Sequence, residues 1–321
     1  MLELMCDSML RKETKVGLAL GGGAAKGIAH IGVLKALQEA GIPIHLVVGT
    51  SMGALIGALF CQKRDAKEVE SAVQTALTSD NLARVAVDIE NLTMSARDKR
   101  EYSLLDTFKK LHLYYQAFRN YGVVEDKKVI VAISNLLPES SIEILQPKFA
   151  AVATDLYSGE PLVISKGSLR EAVRASISVP LLFPPVDSNG KLLVDGMVTS
   201  LVPVDEALRL GAKVVIAVDV QGPVERQEGP QNAVEVMVRC EGISSYQLKR
   251  RSLEKADIVI RPFPELVKSW DFRNADEYIE MGKRAANQEI ENIRKVLETK
   301  TKRHVWEGLL KIFRGKQKVP H

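Results

Sequence analysis

The pentapeptide Gly49-Thr50-Ser51-Met52-Gly53 constrains the fold of this chain more than any other stretch. An apolar run over 44–48 precedes it and a second over 54–60 follows it, which is typical of a buried strand that turns sharply into a helix. In a G-x-S-x-G turn, the glycines let the backbone bend tightly enough to present the serine hydroxyl above the sheet. Small residues also join strands to helices for packing reasons alone, so the motif requires support from elsewhere in the chain.

A glycine-rich turn follows an earlier apolar strand, which is predicted over 16–20. The turn reads GGGAAKG over 21–27, and the spacing of apolar residues predicts a helix over 26–40. Two consecutive strand–turn–helix units predict neighbouring parallel strands, whose turns meet at one edge of a sheet. Backbone N–H groups at such a helix start can hold a negative charge, including the oxyanion of an acyl-transfer reaction.

The glycine-rich turn is also compatible with other kinds of site. A dinucleotide-binding turn has the pattern G-x-G-x-x-G, but the sixth residue here is Lys26 and no acidic residue ends the next strand. A P-loop requires Gly-Lys-Ser/Thr, whereas Gly27 follows Lys26. A helix start that binds nothing is the third alternative.

The rest of the chain predicts one domain of alternating α/β type. Strands are predicted over 44–48, 149–154, 161–164, 191–194, 213–220 and 257–260, and helices over 51–62, 65–82, 125–137, 169–175, 205–210, 232–254 and 275–297. We divide the chain into an N-terminal extension at 1–15, a domain at 16–300 with a helical insertion near 80–137, and a basic tail at 301–321. The aromatic-rich stretch 102–121 is expected to be core between helices, with an acyl pocket or lid as the alternative.

Charge and cysteine content argue against several classes of protein. The net charge of +4 comes from the tail, because 302–321 holds six basic residues and one acidic residue, so a chain-wide nucleic-acid surface is not supported. Three cysteines without paired spacing argue against a disulfide framework or a zinc site and fit the cytoplasm. We expect no metal and no cofactor, and no window approaches the ~20 apolar residues of a membrane-spanning helix.

The tail 302–321 combines an apolar helical face with basic residues. Its apolar face consists of Val305, Trp306, Leu309, Leu310 and Phe313. A basic amphipathic helix of this kind can lie in a membrane interface and attract anionic lipid. We therefore expect peripheral contact with the inner face of the membrane, and an ordinary C-terminal helix is the alternative.

A serine nucleophile requires a base, and the histidines are poorly distributed for that role. They lie before Ser51, in the aromatic stretch or in the basic tail: His30, His45, His112, His304 and His321. Asp195 follows the strand 191–194, and burial there would raise its pKa toward the working range of a base. Asp195-Gly196 is equally compatible with an ordinary turn. As a catalytic pair, Ser51 and Asp195 are expected to end adjacent strands of one sheet.

Three blocks of the sequence resemble the patatin-like phospholipase family, and specifically its short bacterial members. They are GLALGGGAAKGIAHIGVLKALQEAGI at 17–42, VVGTSMGALIGAL at 47–59, and a third that begins at AVATDLYSGEPLVI and ends near Val220. The resemblance implies a three-layer α/β/α fold with a mostly parallel central sheet. It also implies an enzyme that hydrolyses carboxylic esters of lipids, phospholipid or lysophospholipid, through a serine–aspartate dyad without histidine.

The resemblance also assigns roles to individual residues. Ser51 would be the nucleophile and Asp195 the general base of the dyad. The oxyanion hole would be formed around Gly22, Gly23, Ala24 and Lys26, with Lys26 where the family has Arg or Lys. The accompanying motif glycines are Gly21, Gly27, Gly49, Gly53 and Gly196.

Two positions depart from the family pattern. Ala24 stands where many members have glycine, and Met197 stands where many have glycine or alanine. The first narrows the glycine-rich turn, and the second changes the wall beside Asp195. Two further interpretations stay open at this point: a serine esterase or thioesterase that uses one of the histidines, and a non-catalytic protein that binds lipid on the same scaffold.

Overall fold

The computed structural model of the protein describes residues 14–78, 122, 124–222, 230, 233–263 and 272–315, without the side chains of 234, 235 and 303–315. Within these residues one sheet contains eight strands: β1 (Val16–Leu20), β2 (Leu46–Thr50), β3 (Lys148–Asp155), β4 (Pro161–Ile164), β5 (Val186–Ser188), β6 (Lys191–Asp195), β7 (Val214–Val218) and β8 (Ile258–Ile260). The same residues form eight α-helices: α1 (Ala29–Glu39), α2 (Met52–Lys63), α3 (Ala66–Leu77), α4 (Asp126–Leu136), α5 (Leu169–Ser176), α6 (Val204–Arg209), α7 (Ala233–Leu253) and α8 (Ala275–Gly315).

The sheet is mostly parallel and has the order β5-β6-β3-β2-β1-β7-β8. Strand β4 is not part of this order and pairs with β3. Strands β3, β2, β1, β7 and β8 run parallel to one another, whereas β4 and β6 run antiparallel to β3. Every residue of β1, β2 and β7 is buried. Burial on both faces explains why these strands are continuous apolar runs rather than alternating ones.

Helices cover both faces of the sheet. Successive residues of a strand point to opposite faces, and in β1 Leu18 and Leu20 pack in one core with α1, α2 and α8. Ala19 belongs to a separate core with residues of α6 and with Leu253 of α7. The three-layer α/β/α architecture and the mostly parallel sheet are therefore confirmed.

The predicted elements differ from the structure mainly at their ends. Strand β2 begins at Leu46. The residue before it, His45, donates its N–H to the carbonyl oxygen of Val16, and its ring accepts the Val16 N–H at the start of β1. The short strand β5 was not predicted, and α8 continues to Gly315 instead of ending at 297. The extension 1–13, the aromatic stretch 102–121 and the side chains of the tail lie outside the described residues.

The first and last helices cross at very close range. A β-carbon at Gly282 of α8 would lie 2.0 Å from the carbonyl oxygen of Ala29 in α1, and one at Gly32 would lie 1.8 Å from that of Ile279. Contacts this short cannot exist, so the two glycines set the distance between the helices. Helix α1 starts directly after the glycine-rich turn, so the position of α1 also determines where the glycine-rich turn lies.

Gly282→Ala is expected to lower the free energy of unfolding by about 1–3 kcal/mol, because the added methyl forces α8 away from α1. Gly242→Ala is the matched control, since a β-carbon at this α7 position meets no atom within 4 Å. The control is expected to be neutral or up to ~1 kcal/mol more stable, because alanine favours a helix over glycine. Urea unfolding measures both, and equal stabilities would contradict the close packing.

Candidate active site

Ser51 lies in the sharp turn between β2 and α2, with φ 56° and ψ −126°. A non-glycine residue adopts this backbone region only under strain, which the surrounding structure must sustain. A β-carbon at Gly53 would lie 2.3 Å from the carbonyl oxygen of Leu20, so glycine lets the start of α2 approach β1. The predicted strand–turn–helix is present, and Ser51 is almost buried, with 8% of its surface exposed.

Three hydrogen bonds that the sequence did not predict hold this turn. The Ser51 N–H donates to the hydroxyl of Ser176 at 3.0 Å, and that hydroxyl donates to the carbonyl oxygen of Val152 at 2.6 Å. The hydroxyl of Thr50 donates to the carbonyl oxygen of Ser200 at 2.8 Å. Nothing in the sequence distinguishes Ser176 from other serines, because its role arises where α5 ends against β3.

Asp195 ends β6 and is fully buried. Its Oδ1 accepts the N–H of Met197 at 2.8 Å, and its Oδ2 has no hydrogen-bond partner among the described residues. A β-carbon at Gly196 would lie 2.4 Å from the carbonyl oxygen of Val152, so the chain after Asp195 passes directly over β3. The carboxylate is thus held by one oxygen, and the other oxygen remains available.

The pKa of Asp195 is raised from its ordinary value of 3.8 to about 7, and burial is the main cause. The Ser51 hydroxyl and the Met197 N–H lower the pKa, and the negative charge of Glu241 raises it. The Ser51 hydroxyl is therefore close to the carboxyl, although it does not reach Oδ2 with hydrogen-bond geometry. Such contacts are often loose before a substrate binds.

The sheet register accounts for the approach of Ser51 to Asp195. Thr50 of β2 pairs with Val152 of β3, and the next residue of β3, Ala153, pairs with Asp195 of β6. Ser51 and Asp195 therefore lie level with each other on either side of β3. Their main chains are about 10 Å apart across the sheet, which is two strand spacings. The prediction that they end adjacent strands is wrong, because β3 lies between them and β6 runs in the opposite direction.

The glycine-rich turn lies beside Ser51, since a β-carbon at Gly22 would be 3.2 Å from that of the serine. The Gly22 N–H donates to the carbonyl oxygen of Leu201 at 2.9 Å, so in this geometry it is already occupied. The N–H groups of Gly23 and Ala24 have no hydrogen-bond partner among the described residues. Ala24 has φ 49°, a left-handed conformation that points this stretch of backbone away from regular helix.

The other residues predicted for this region lie around the turn. Lys26 is buried, and its Nζ donates to the carbonyl oxygen of Gln221 at 3.3 Å, in the loop after β7. The motif glycines lie at the ends of β1 and β2, in the 3₁₀ turn Ala24–Ile28, in α2 and after β6: Gly21, Gly49, Gly27, Gly53 and Gly196. The structure thus brings all the predicted site residues to one edge of the sheet.

The described histidines are not bonded to Ser51 or Asp195. The Nε2–H of His30 donates to the carbonyl oxygen of Gly21 at 2.7 Å, and burial lowers the pKa of this histidine to about 4. His30 therefore stabilises the start of the glycine-rich turn through this hydrogen bond. His45 accepts the Val16 N–H at the start of β1, the opposite end of that strand from Gly21. The side chains of His112, His304 and His321 lie outside the described residues.

Among the described residues, no group of three His, Cys, Asp or Glu side chains is arranged to hold a metal ion, and Cys61 and Cys240 are unpaired. In the same part of the chain, no helix is both long enough and apolar enough to cross a membrane. The candidate site consists of a hydroxyl, a carboxyl and backbone N–H groups. This set can transfer an acyl group, because it offers a nucleophile, a base and donors for an oxyanion.

The family profile for patatin-like phospholipases matches residues 18–208. The match contains both strand–turn–helix units, Ser51 and Asp195. The chain belongs to the patatin-like phospholipase family. The fold and the motif blocks quoted for this resemblance agree with membership, so the family expectation is confirmed.

The relatives of this patatin-like chain are longer proteins. Lysophospholipase nte1 of Aspergillus fumigatus is 34% identical over 206 residues, which make up 64% of this chain and 12% of that protein. An uncharacterized NTE family protein of Mycobacterium bovis is 30% identical over 230 residues, 72% of this chain and 55% of that protein. Among solved structures, VipD from Legionella pneumophila has a TM-score of 0.45 and 17% identity, covering 87% of this chain and 67% of that one. The chain spans less than two thirds of the length of either relative.

Proposed function

We propose that this protein is a serine hydrolase of lipid carboxylic esters, with Ser51 as nucleophile and Asp195 as general base. One observation carries the proposal: a nearly buried serine in a strained turn lies beside a buried carboxyl whose Oδ2 has no partner and whose pKa is about 7. A base works best when its pKa is near the working pH. Membership of the patatin-like phospholipase family supports the same reaction class.

In the proposed mechanism, Oδ2 of Asp195 accepts the Ser51 proton as Oγ bonds to the ester carbonyl carbon. The carbonyl electron pair moves onto oxygen, and the oxyanion is held by the N–H groups of Gly23 and Ala24. Collapse of this intermediate expels the alcohol, which takes the proton from Asp195. Water then attacks the acyl-serine with Asp195 again as base, and Ser51 recovers its proton when the fatty acid leaves. Each donor to the oxyanion is expected to contribute ~100- to 1,000-fold in turnover.

The proposed substrate class is supported by the family and by the fungal relative, which is named a lysophospholipase. Purified protein is expected to release fatty acid from lysophospholipid or phospholipid, and Ser51→Ala is expected to remove this release. A series with neutral glyceride and acyl thioester in the same assay separates a lipid hydrolase from a general esterase. Binding of lipid without any Ser51-dependent release would instead support a non-catalytic protein.

The basic tail is proposed to hold the enzyme at an anionic membrane surface on the cytoplasmic side. Helix α8 continues through the first part of this tail to Gly315, which gives its apolar residues helical spacing. A basic amphipathic helix of this kind binds through apolar contact and through attraction to anionic lipid.

Removal of 302–321 is expected to reduce flotation with vesicles that contain anionic lipid. Vesicles of zwitterionic lipid alone are the matched control, and the full chain is expected to bind them much more weakly. Added salt is expected to weaken binding to anionic vesicles, because it screens the attraction. Equal flotation of the full and shortened chains would refute the role of the tail.

A further inference from the structure

Glu241, on α7, is a second carboxylate close to Asp195 that no sequence motif indicated. Its Oε1 is buried and has no hydrogen-bond partner among the described residues. Burial raises the pKa of its carboxyl, and its negative charge raises that of Asp195. Two buried carboxylate oxygens without partners, one on each acid, therefore lie in the same part of the molecule. A buried charge is unfavourable unless it is compensated, so this arrangement has a cost in stability.

A short chain of hydrogen bonds links the face of α7 that carries Glu241 to Asp195. The hydroxyl of Ser245, on α7, donates to the carbonyl oxygen of Met197 at 2.8 Å. The N–H of Met197 donates in turn to Oδ1 of Asp195 at 2.8 Å. Glu241 lies four residues before Ser245, and residues four apart share one face of a helix. The face that carries Glu241 is thus held against the turn that begins at Asp195.

Few other groups act on the Asp195 carboxyl. From the β2–α2 turn the Ser51 hydroxyl acts on it, and from the turn after β6 the Met197 N–H does so. Thr154 of β3 donates to the main-chain oxygen of Asp195 and not to its carboxylate. Among the described residues, Glu241 is the charged group that influences Asp195.

We propose that Glu241 is a positioning residue for the reaction, a fixed negative charge that strengthens Asp195 as a base without touching the substrate. The inference rests on the proposed function. When Asp195 takes the proton from Ser51, one of two neighbouring carboxylates becomes neutral, so their repulsion is relieved as the serine attacks. Glu241 itself gains and loses no proton in this step.

The test is the pH dependence of kcat/KM with a neutral p-nitrophenyl ester. Glu241→Gln is expected to shift the acid-side midpoint to lower pH and to lower the plateau rate several-fold, because Asp195 becomes a weaker base. Glu241→Asp keeps the charge and is expected to restore a midpoint close to that of the wild type. Glu254→Gln removes the same charge from an exposed position just after α7, and its profile is expected to be unchanged.

A second readout requires no turnover. The carboxyl carbon of Asp195, labelled with carbon-13 and assigned by its absence in Asp195→Asn, is expected to titrate at lower pH in Glu241→Gln. Ser245→Ala, which removes the contact that holds α7 on Met197, is expected to shift it in the same direction and serves if Glu241→Gln does not fold. An unchanged midpoint in a folded Glu241→Gln protein would overturn the inference. Absence of Ser51-dependent turnover would instead contradict the proposed function. The titration of Asp195 can be measured without any turnover.

Discussion

Ser51→Ala and Ser51→Gly are both expected to lower fatty-acid release by at least ~10,000-fold, because neither side chain can form the acyl-enzyme. Both variants are also expected to lose rapid labelling by a fluorophosphonate probe, which reacts only with an activated serine. Ser71→Ala is the matched control, since this serine is exposed on α3 and belongs to no part of the site. Labelling of Ser51→Ala at the wild-type rate would assign the nucleophile to another residue.

The two Ser51 variants are expected to differ in stability although both are inactive. At φ 56° and ψ −126°, relief of backbone strain by glycine is worth about 1–3 kcal/mol. Glycine also loses about 0.5–1 kcal/mol through the greater freedom of the unfolded chain. We therefore expect Ser51→Gly to be about 1 kcal/mol more stable than the wild type, whereas Ser51→Ala keeps the β-carbon and the strain. Urea unfolding compares them, and a destabilised Ser51→Gly would contradict the strained turn.

Asp195→Asn is expected to lower turnover by about 1,000-fold, because the amide cannot accept the Ser51 proton. The same assay with Asp187→Asn is the matched control, since Asp187 is exposed on β5. His30→Gln is a second control, because glutamine can still donate to the carbonyl oxygen of Gly21. It is expected to retain activity within about tenfold, whereas a histidine-dependent esterase would lose activity in this or another histidine variant.

The loss of activity in Asp195→Asn is expected to be accompanied by a gain in stability at neutral pH. The unfolded chain ionises Asp195 near pH 3.8, while the folded protein keeps the proton until about pH 7. Between these values unfolding releases a proton, so this residue makes the wild type less stable as pH rises. Asparagine stays neutral, and the variant's advantage is expected to grow by up to about 4 kcal/mol between pH 4 and pH 8.

Thermal unfolding of both proteins across this pH range measures the difference. A constant difference from pH 4 to pH 8 would show that the Asp195 carboxyl ionises normally in the folded protein, and the proposed base would lose its physical support. Taken with Ser51→Gly, the expected result is that each residue of the proposed dyad lowers the stability of the folded protein. The strained backbone at Ser51 and the buried carboxyl of Asp195 are the two features that lower the stability.

Local chemistry made much of the fold and site predictable. The apolar runs before Gly21 and Gly49 and the small residues after them specify strand, turn and helix within a few residues of each other. The order of these units then predicts parallel neighbours, and β1 and β2 are paired in parallel. Ser51 and Asp195 are candidates because both lie at turns that follow buried strands, and the resemblance to the family assigns their roles.

Other parts of the site depend on contacts between residues far apart in the chain. Strand β6 pairs with β3 and not with β2, and only this register sets Asp195 level with Ser51. The Gly22 N–H is occupied by the carbonyl oxygen of Leu201, which lies far along the chain, so we propose the N–H groups of Gly23 and Ala24 as the oxyanion donors. Ser176 and Glu241 carry no local signal, because the contact of Ser176 and the proposed role of Glu241 arise from where α5 ends and how α7 packs.

The sequence by itself therefore determined the architecture and the two candidate catalytic residues, because turns, buried strands and amphipathic helices are local patterns of neighbouring residues. Within the described residues, the tertiary structure alone decided which N–H groups of the glycine-rich turn have no partner, which oxygen of Asp195 has none and which second acid influences Asp195. Hydrogen-bond partners and burial depend on segments that meet only after folding, and burial is what raises the pKa of Asp195.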